Sequence, residues 1–208
     1  IKKNKAVLYV NVGDYKNVWD ELIRDIPQMR ELATEHFDNW KDTKAFATKA
    51  LSASQINNSD VVTDNNRDDN SKNITADNSS EDTSDNITGI HGFYHKNIFE
   101  AVYCTNLLMR SADVLVTKPS ELAFYPVPKL FIKRVGGHEQ WGAVHSAEIG
   151  DGTLECRDIP HTLQMIKLFM EDDTYIIDMC KNIKKNKQMG IYNGAYEAVK
   201  LAVNMKKS

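Results

Sequence analysis

The stretch DVLVTKPSELAFYPVPKLFIK, residues 113–133, holds two short apolar runs separated by a proline-bounded turn. The runs, 113–118 and 129–133, are apolar on consecutive positions, which is typical of strands buried on both faces of a parallel sheet. Pro119-Ser120 predicts a turn after the first run, and a short helical stretch follows near 121–125. The segment therefore predicts two strands of a parallel sheet.

Strand and helix patterns also alternate on the N-terminal side of this stretch. KAVLYVNV, residues 5–12, predicts a buried first strand. Apolar residues at helical spacing then predict a helix from Asp14, its expected N-cap, to Leu32, with a kink at Pro27. Between residues 36 and 52 helical propensity competes with the second strand that such a domain needs, so both structures remain open.

The remaining predicted elements continue this alternation of strands and helices. Residues 88–92 predict a strand and 96–111 an amphipathic helix. Beyond the central stretch we predict a helix over 138–148, an edge strand over 153–156, and tail helices over 160–171, 173–185 and 188–206. The predicted fold class is α/β, a Rossmann-like parallel sheet with helices on both faces, followed by a helical C-terminal tail.

Composition bounds the class of protein. The chain has 208 residues, 41% of them hydrophobic, and a formal net charge of −3, which argues against the strongly basic surface of a nucleic-acid binder. Residues 53–89 are mainly Asn, Asp, Ser and Thr and carry eight acidic and two basic residues. Such a segment cannot bury enough apolar surface to offset its ordering entropy, so a disordered insertion is expected there. The whole chain, 1–208, is predicted to be one domain.

Cysteine usage and hydropathy indicate the compartment. Three widely spaced cysteines form no CxxC pattern, and the histidines show no metal-ligand spacing, so we expect no disulfide, no metal and a cytoplasmic location. No apolar run approaches the ~20 residues that span a bilayer. The basic run 181–187 leaves two interpretations open, a peripheral contact with anionic lipid and a solvated helix face. Because a strand follows Ile1 almost at once, we expect a fragment of a longer protein.

Candidate binding residues follow from the predicted topology. In open parallel sheets, ligands bind beyond the C-terminal ends of the strands. Small residues at the helix starts there leave the backbone N–H groups accessible to an anion. This rule selects four loops, at 11–15, 92–97, 117–121 and 134–140. The aromatic residues near them are interpreted as packing residues; these are Trp19, Trp40, Phe99, Tyr103 and Trp141.

Six landmarks between Phe93 and Cys156 occur in an order that resembles a known family. They are Phe93-Tyr94, the helix from Lys96, Ala112-Asp113 before a strand, Ser120-Glu121-Leu122, Val127-Pro128 before a strand, and His138-Glu139-Gln140-Trp141-Gly142-Ala143. This order is similar to the C-terminal, donor-binding domain of glycosyltransferase family 28. The resemblance implies the C-terminal lobe of a two-lobed (GT-B) glycosyltransferase that transfers a hexose or N-acetylhexosamine from a UDP-sugar to a lipid-linked or other acceptor.

The resemblance also implies roles for single residues. Glu121 takes the position of the carboxylate that holds the ribose hydroxyls. His138 and Glu139 take the positions of two glutamines that contact the donor sugar. Phe93-Tyr94 takes the position of the segment whose backbone reads the uracil. Gly13 and Asp14 take the position of the diphosphate loop. The full set of expected donor-binding residues is Gly13, Asp14, Phe93, Tyr94, Lys118, Ser120, Glu121, Gly136, Gly137, His138, Glu139 and Gln140.

The rest of the expected enzyme lies outside this chain. In the family the catalytic base comes from an N-terminal lobe, so the chain alone is expected to be inactive and to need that lobe in cis or in trans. No cofactor is expected besides the UDP-sugar substrate. Two alternatives remain open, a non-catalytic nucleotide-sugar-binding subunit and a domain of the UDP-sugar epimerase type.

Overall fold

The computed structural model describes residues 6–59 and 87–206. The chain divides into two compact units, Ile1–Ser111 and Ala112–Ser208. Both units combine helices with short parallel strands, and the C-terminal part is helical. The predicted mixture of α and β structure, the parallel pairing and the helical tail are therefore confirmed. One continuous Rossmann-like sheet within one domain stays a prediction.

The first unit contains a three-stranded parallel sheet and four helices. Its elements are β1 (Val7–Asn11), α1 (Lys16–Asp25), α2 (Pro27–Leu32), β2 (Ala33–Phe37), α3 (Trp40–Ser59), β3 (Gly89–Phe93) and α4 (Ile98–Leu108). The sheet order is β1-β3-β2, so the last strand in sequence lies in the middle. This order differs from the 3-2-1 order of a Rossmann half, in which the second strand lies beside the first.

The structure decides three open or predicted features near the start of the chain. The ambiguous stretch 36–52 contains the end of β2 and the first turns of α3. The predicted kink at Pro27 is a break between two helices, because Ile26 is extended and Pro27 begins α2. The first residue of a helix has no intrahelical acceptor for its N–H, so the missing N–H of proline loses no hydrogen bond there. The prediction of Asp14 as N-cap is wrong, because the helix begins one residue later with Tyr15 as N-cap and without a side-chain cap.

The predicted insertion at 53–89 is only partly covered by the described residues. Residues 53–59 are helical, since α3 continues to Ser59, so the predicted boundary is wrong at this end. The helix continues because its apolar spacing at Phe46, Ala47 and Ala50 establishes turns that the following residues can extend. Residues 60–86 lie outside the described part, and β3 begins at Gly89.

Aromatic side chains fill the core of the first unit. Phe93, on the central strand, packs with Phe46, Cys104 and Leu108 in one buried cluster. The ring of Tyr9 packs edge to face against Phe93 at a ring-centroid distance of 6.2 Å, and the ring of Phe37 stacks on Phe93 at 5.1 Å. Such pairs add about 0.5–1.5 kcal/mol beyond area burial.

The second unit contains a two-stranded parallel sheet and four helices. Its elements are β4 (Leu115–Thr117), β5 (Lys129–Phe131), α5 (Gln140–Glu148), α6 (Ile159–Glu171), α7 (Thr174–Gln188) and α8 (Gly194–Met205), with 3-10 turns at Glu121–Phe124, Gly137–Glu139 and Ile191–Asn193. Leu130, Cys156 and Phe169 form one of its apolar clusters, and Ala123, Phe131 and Ala143 another. The sheet thus packs against helices of its own unit.

The predicted edge strand at 153–156 is wrong. Lys129 forms a single parallel bridge with Gly152, and Thr153 and Cys156 donate backbone bonds to the carbonyls of Lys129 and Phe131. Between them, the N–H of Phe131 donates to the hydroxyl of Thr153 at 3.1 Å. A side chain therefore takes the place of a ladder bond, and no regular strand forms.

No helix among the described residues is both long enough and apolar enough to cross a bilayer.

Candidate functional site

Two loops of the second unit lie at the same edge of its sheet. Because β4 and β5 run parallel, with Thr117 opposite Phe131, both strands end at this edge. The first strand continues into Lys118-Pro119-Ser120, and the second continues through 132–136 into the turn Gly137–Glu139. This is the edge where parallel sheets bind ligands. The predicted loops 117–121 and 134–140 are therefore brought together.

An ion pair joins the two loops. The Lys118 Nζ lies 2.6 Å from Glu139 Oε1, and Glu139 Oε2 accepts the backbone N–H groups of Val135 and Gly136 at 2.8 and 3.1 Å. The Lys118 ammonium, followed by the N–H groups of Gly136 and Val135, lowers the pKa of Glu139 to about 2. Only 6% of the Glu139 side chain is exposed. Both carboxylate oxygens are engaged, so Glu139 holds the loop in place.

Glu121 offers an accessible carboxylate at the same edge. It is exposed, and its pKa lies below the ordinary value because its own backbone N–H, the Ser120 hydroxyl and the charge of Lys118 all favour the anion. Lys118 is 43% exposed and, besides its bond to Glu139, keeps further N–H donors. The charges of the Glu121 carboxylate and the Lys118 ammonium therefore interact, and both side chains are accessible to solvent.

The glycine turn before α5 presents small and polar groups. A Cβ at Gly136 would lie 2.6 Å from Cε1 of the exposed His138 imidazole, so this ring would have to move to admit a side chain. A Cβ at Gly137 would meet nothing within 4 Å. Gly137, His138 and Gln140 are all exposed, in contrast to Glu139 between them. The exposed groups are the ones that a ligand could reach.

The other predicted residues lie in the first unit, at the C-terminal edge of its sheet. Gly13 has φ +65°, its N–H donates to the Asn11 side chain at 3.0 Å, and its carbonyl accepts the N–H of His95. Asp14 is exposed. The positive φ explains the glycine without reference to a ligand.

Phe93 and Tyr94 are buried parts of that unit. Phe93 is a core residue, and its carbonyl accepts the N–H of Val12. The Tyr94 N–H donates to the Phe37 carbonyl, and its hydroxyl donates to Asp38 at 3.0 Å. Two backbone groups of the segment predicted to read a base are therefore already paired within the sheet.

The comparison with protein families decides where the chain belongs. The protein-family model described as "Domain of unknown function (DUF6938)" matches residues 1–68 and 53–203 of the chain. The chain is a member of this family. The two matched ranges overlap at 53–68, within the predicted insertion. No curated protein and no solved structure matches the chain.

One buried polar cluster in this family member was not predicted from the sequence. Lys129 and Asp151 are both fully buried, and the Lys129 Nζ lies 2.8 Å from Asp151 Oδ2. The Nζ also donates to the carbonyls of Tyr125 and Val127, while Asp151 accepts bonds from the hydroxyls of Ser146 and Tyr192. Burial lowers the pKa of Lys129, and its bond to Asp151 opposes this effect. The one signal in the sequence is a lysine beside an apolar strand run.

Proposed function

We propose that this chain binds a UDP-sugar as the donor-binding part of a two-lobed glycosyltransferase, through the strand-end loops of its second unit. The observation that carries the proposal is the position of Glu121. It is an exposed carboxylate that interacts electrostatically with Lys118, at the edge where β4 and β5 both end. The predicted resemblance to glycosyltransferase family 28 supplies the nucleotide and the reaction.

The charges at this edge suit a nucleoside diphosphate. A carboxylate accepts two hydrogen bonds from a ribose diol, and the low pKa of Glu121 keeps it in the accepting form at neutral pH. The ammonium of Lys118 and the N–H groups at the exposed start of the Gly137 turn favour phosphate oxygens. In the proposed complex Glu121 holds the ribose and Lys118 the diphosphate.

In the proposed site Glu139 has a supporting role. Because both of its oxygens are engaged by Lys118, Val135 and Gly136, it positions the lysine and the turn. His138 and Gln140, which flank it and are exposed, are the better candidates for contacts to the sugar. The residues proposed to contact the ligand in this unit are Lys118, Ser120, Glu121, Gly136, Gly137, His138 and Gln140.

The surface of α8 supports the need for a further lobe or subunit. Every residue of this helix is exposed. Yet Tyr196, Val199 and Val203 recur at helical spacing on one side. Helices of this length are marginal in water unless an apolar face is packed. We propose that the second lobe of the transferase, in cis or in trans, covers this face.

Calorimetric titration with UDP, UDP-sugars, GDP and ADP tests the proposal. We expect selective binding of uridine nucleotides, weakened about tenfold to a hundredfold by Glu121→Gln, since hydrogen bonds to a charged group contribute about 1.5–3 kcal/mol. Glu148→Gln, an exposed carboxylate at the far end of α5, is the matched control and is expected to bind like the wild type. Equal affinity for all nucleotides, or equal effects of the two substitutions, would contradict the proposal.

A further inference from the structure

Helix α4 is apolar on two opposite sides. Ala101, Cys104 and Leu108 face the core of the first unit and are buried. Phe99 and Tyr103, half a turn away, are 72% and 59% exposed, and Ile98 and Val102 beside them are more than half exposed. A helix that is apolar all round is normally buried on all sides. The prediction that Phe99 is a packing residue is therefore wrong for the described structure, whereas Tyr103 packs with one side against the ring of Trp40.

Helix α3 extends this apolar surface. The rings of Trp40 and Tyr103 are 6.1 Å apart and inclined at 60°, so the start of α3 adjoins the exposed side of α4. We call the surface formed by Trp40, Ile98, Phe99, Val102 and Tyr103 the α4 patch. It joins three aromatic rings and two aliphatic side chains, whereas single exposed apolar residues are normal on any surface.

Charge is distributed unevenly around the α4 patch. Of the nine acidic residues in the described part of the first unit, six lie between Asp14 and Glu35. Four of its eight basic residues lie on α3 near Trp40 or at the two ends of α4; they are Lys41, Lys44, Lys96 and Arg110. Lys44 is one helical turn from Trp40 and therefore lies on the same flank of α3. The acidic residues nearest the patch in sequence are Asp38 and Asp42, which accept hydrogen bonds from Tyr94 and Asn39, and the partly buried Glu100.

We propose that the α4 patch is a docking surface for an anionic lipid bilayer. Tryptophan and tyrosine rings suit the interface between headgroups and acyl chains, where one end of the ring is apolar and the other is wet. Phe99 and the aliphatic residues enter the acyl boundary, while the lysines and Arg110 meet the anionic headgroups. Basic residues outnumber acidic ones near the patch, four to three, whereas acidic residues outnumber basic ones in the rest of the described first unit, and this favours an anionic occupant over a neutral one. The proposal is independent of UDP-sugar binding.

Flotation of the full chain with vesicles tests the lipid proposal. We expect binding to vesicles of phosphatidylcholine mixed with phosphatidylglycerol, weaker binding to phosphatidylcholine alone, and loss of binding at high salt. Phe99→Ser/Tyr103→Ser is expected to reduce partitioning at least about tenfold, because exposed apolar area drives insertion. Lys44→Glu and Lys96→Glu are each expected to weaken it about fivefold or more.

Matched variants separate the α4 patch from other surfaces. Leu163→Ser removes an equally exposed apolar side chain from α6, and Lys184→Glu/Lys185→Glu reverses charge on α7; both are expected to bind vesicles like the wild type. Phe99→Trp provides a variant that keeps the patch apolar, and its added emission is expected to shift to shorter wavelength with anionic vesicles. Absence of vesicle binding by the wild type overturns the proposal. So does binding lost in the α7 variant alone, or a patch that drives self-association without vesicle binding.

Discussion

The two units of the chain are stabilised in different ways. The first centres on Phe93, an aromatic residue surrounded by other rings and aliphatic groups. The second places a lysine and an aspartate, both fully buried, at the side of its small sheet. Apolar packing tolerates many substitutions of similar volume, whereas a buried ion pair needs each partner. The comparison teaches that similar α/β units respond differently to a substitution that keeps the volume of a buried side chain.

The largest effect is expected from breaking the buried pair. Asp151→Asn leaves the Lys129 ammonium without its counter-ion in a fully buried position, and we expect a loss of about 3–5 kcal/mol of unfolding free energy. Urea denaturation followed by circular dichroism measures it. The double variant Lys129→Met/Asp151→Leu is the control, and it is expected to be less destabilised than the single variant. A double variant that is as unstable as the single one would contradict the ion-pair account.

Truncation of the aromatic core is expected to have an effect of similar or slightly smaller size. Phe93→Ala removes a ring with no exposed surface and leaves a cavity, which costs about 3–5 kcal/mol. Phe93→Leu keeps most of the volume and is expected to cost clearly less. Equal destabilisation by both substitutions, measured by the same denaturation, would show that packing does not dominate this unit.

A smaller, pH-dependent effect is expected at Glu139. Because folding lowers its pKa from an ordinary 4.5 to about 2, the ionised group stabilises the fold above about pH 4.5, and this contribution is lost as pH falls through about 2. Glu139→Gln is therefore expected to lower the melting temperature at pH 7 and to approach the wild type at low pH. Melting curves between pH 7 and pH 2 measure the difference, and a constant difference over this range would contradict the assignment.

The smallest effect is expected from one hydroxyl of the buried cluster. Tyr192→Phe removes one of the groups that donate to Asp151 while Lys129 and Ser146 remain, so we expect a loss of about 1 kcal/mol. Tyr196→Phe, on the exposed α8, is the matched control and is expected to be neutral. Thermal denaturation of the two variants in parallel tests whether the loss comes from the bond to Asp151, and equal effects of the two substitutions would contradict this account.

The sequence predicted what local patterns determine. The apolar runs at 113–118 and 129–133 predicted β4 and β5, although both observed strands are shorter, because a strand ends where its partner ends. The convergence of the loops at Lys118 and Glu139 followed from the parallel pairing. These features depend on apolar periodicity and topology, which a single sequence carries.

Long-range partners could not be predicted in the same way. Nothing near Lys129 in the sequence indicates Asp151 as its partner, because the pair depends on how the loop after α5 returns to β5. Both Glu121 and Glu139 lie near the start of a predicted helical stretch that follows a strand. Glu139 is nevertheless buried by its contacts, whereas Glu121 is exposed. Trp141, expected to pack, is 71% exposed. A predicted helix does not specify which of its faces the neighbouring elements cover, so this exposure could not be predicted.

The most direct test of the central claim couples Glu121 to the ribose of the proposed ligand. UDP and its 2′-deoxy analogue are titrated calorimetrically into the wild type and into Glu121→Gln. If Glu121 accepts a bond from the 2′-hydroxyl, the wild type prefers UDP by about tenfold or more, and the variant binds both ligands with similar, weakened affinity. An undiminished preference for UDP in the variant, or no preference in the wild type, would contradict the proposed donor site.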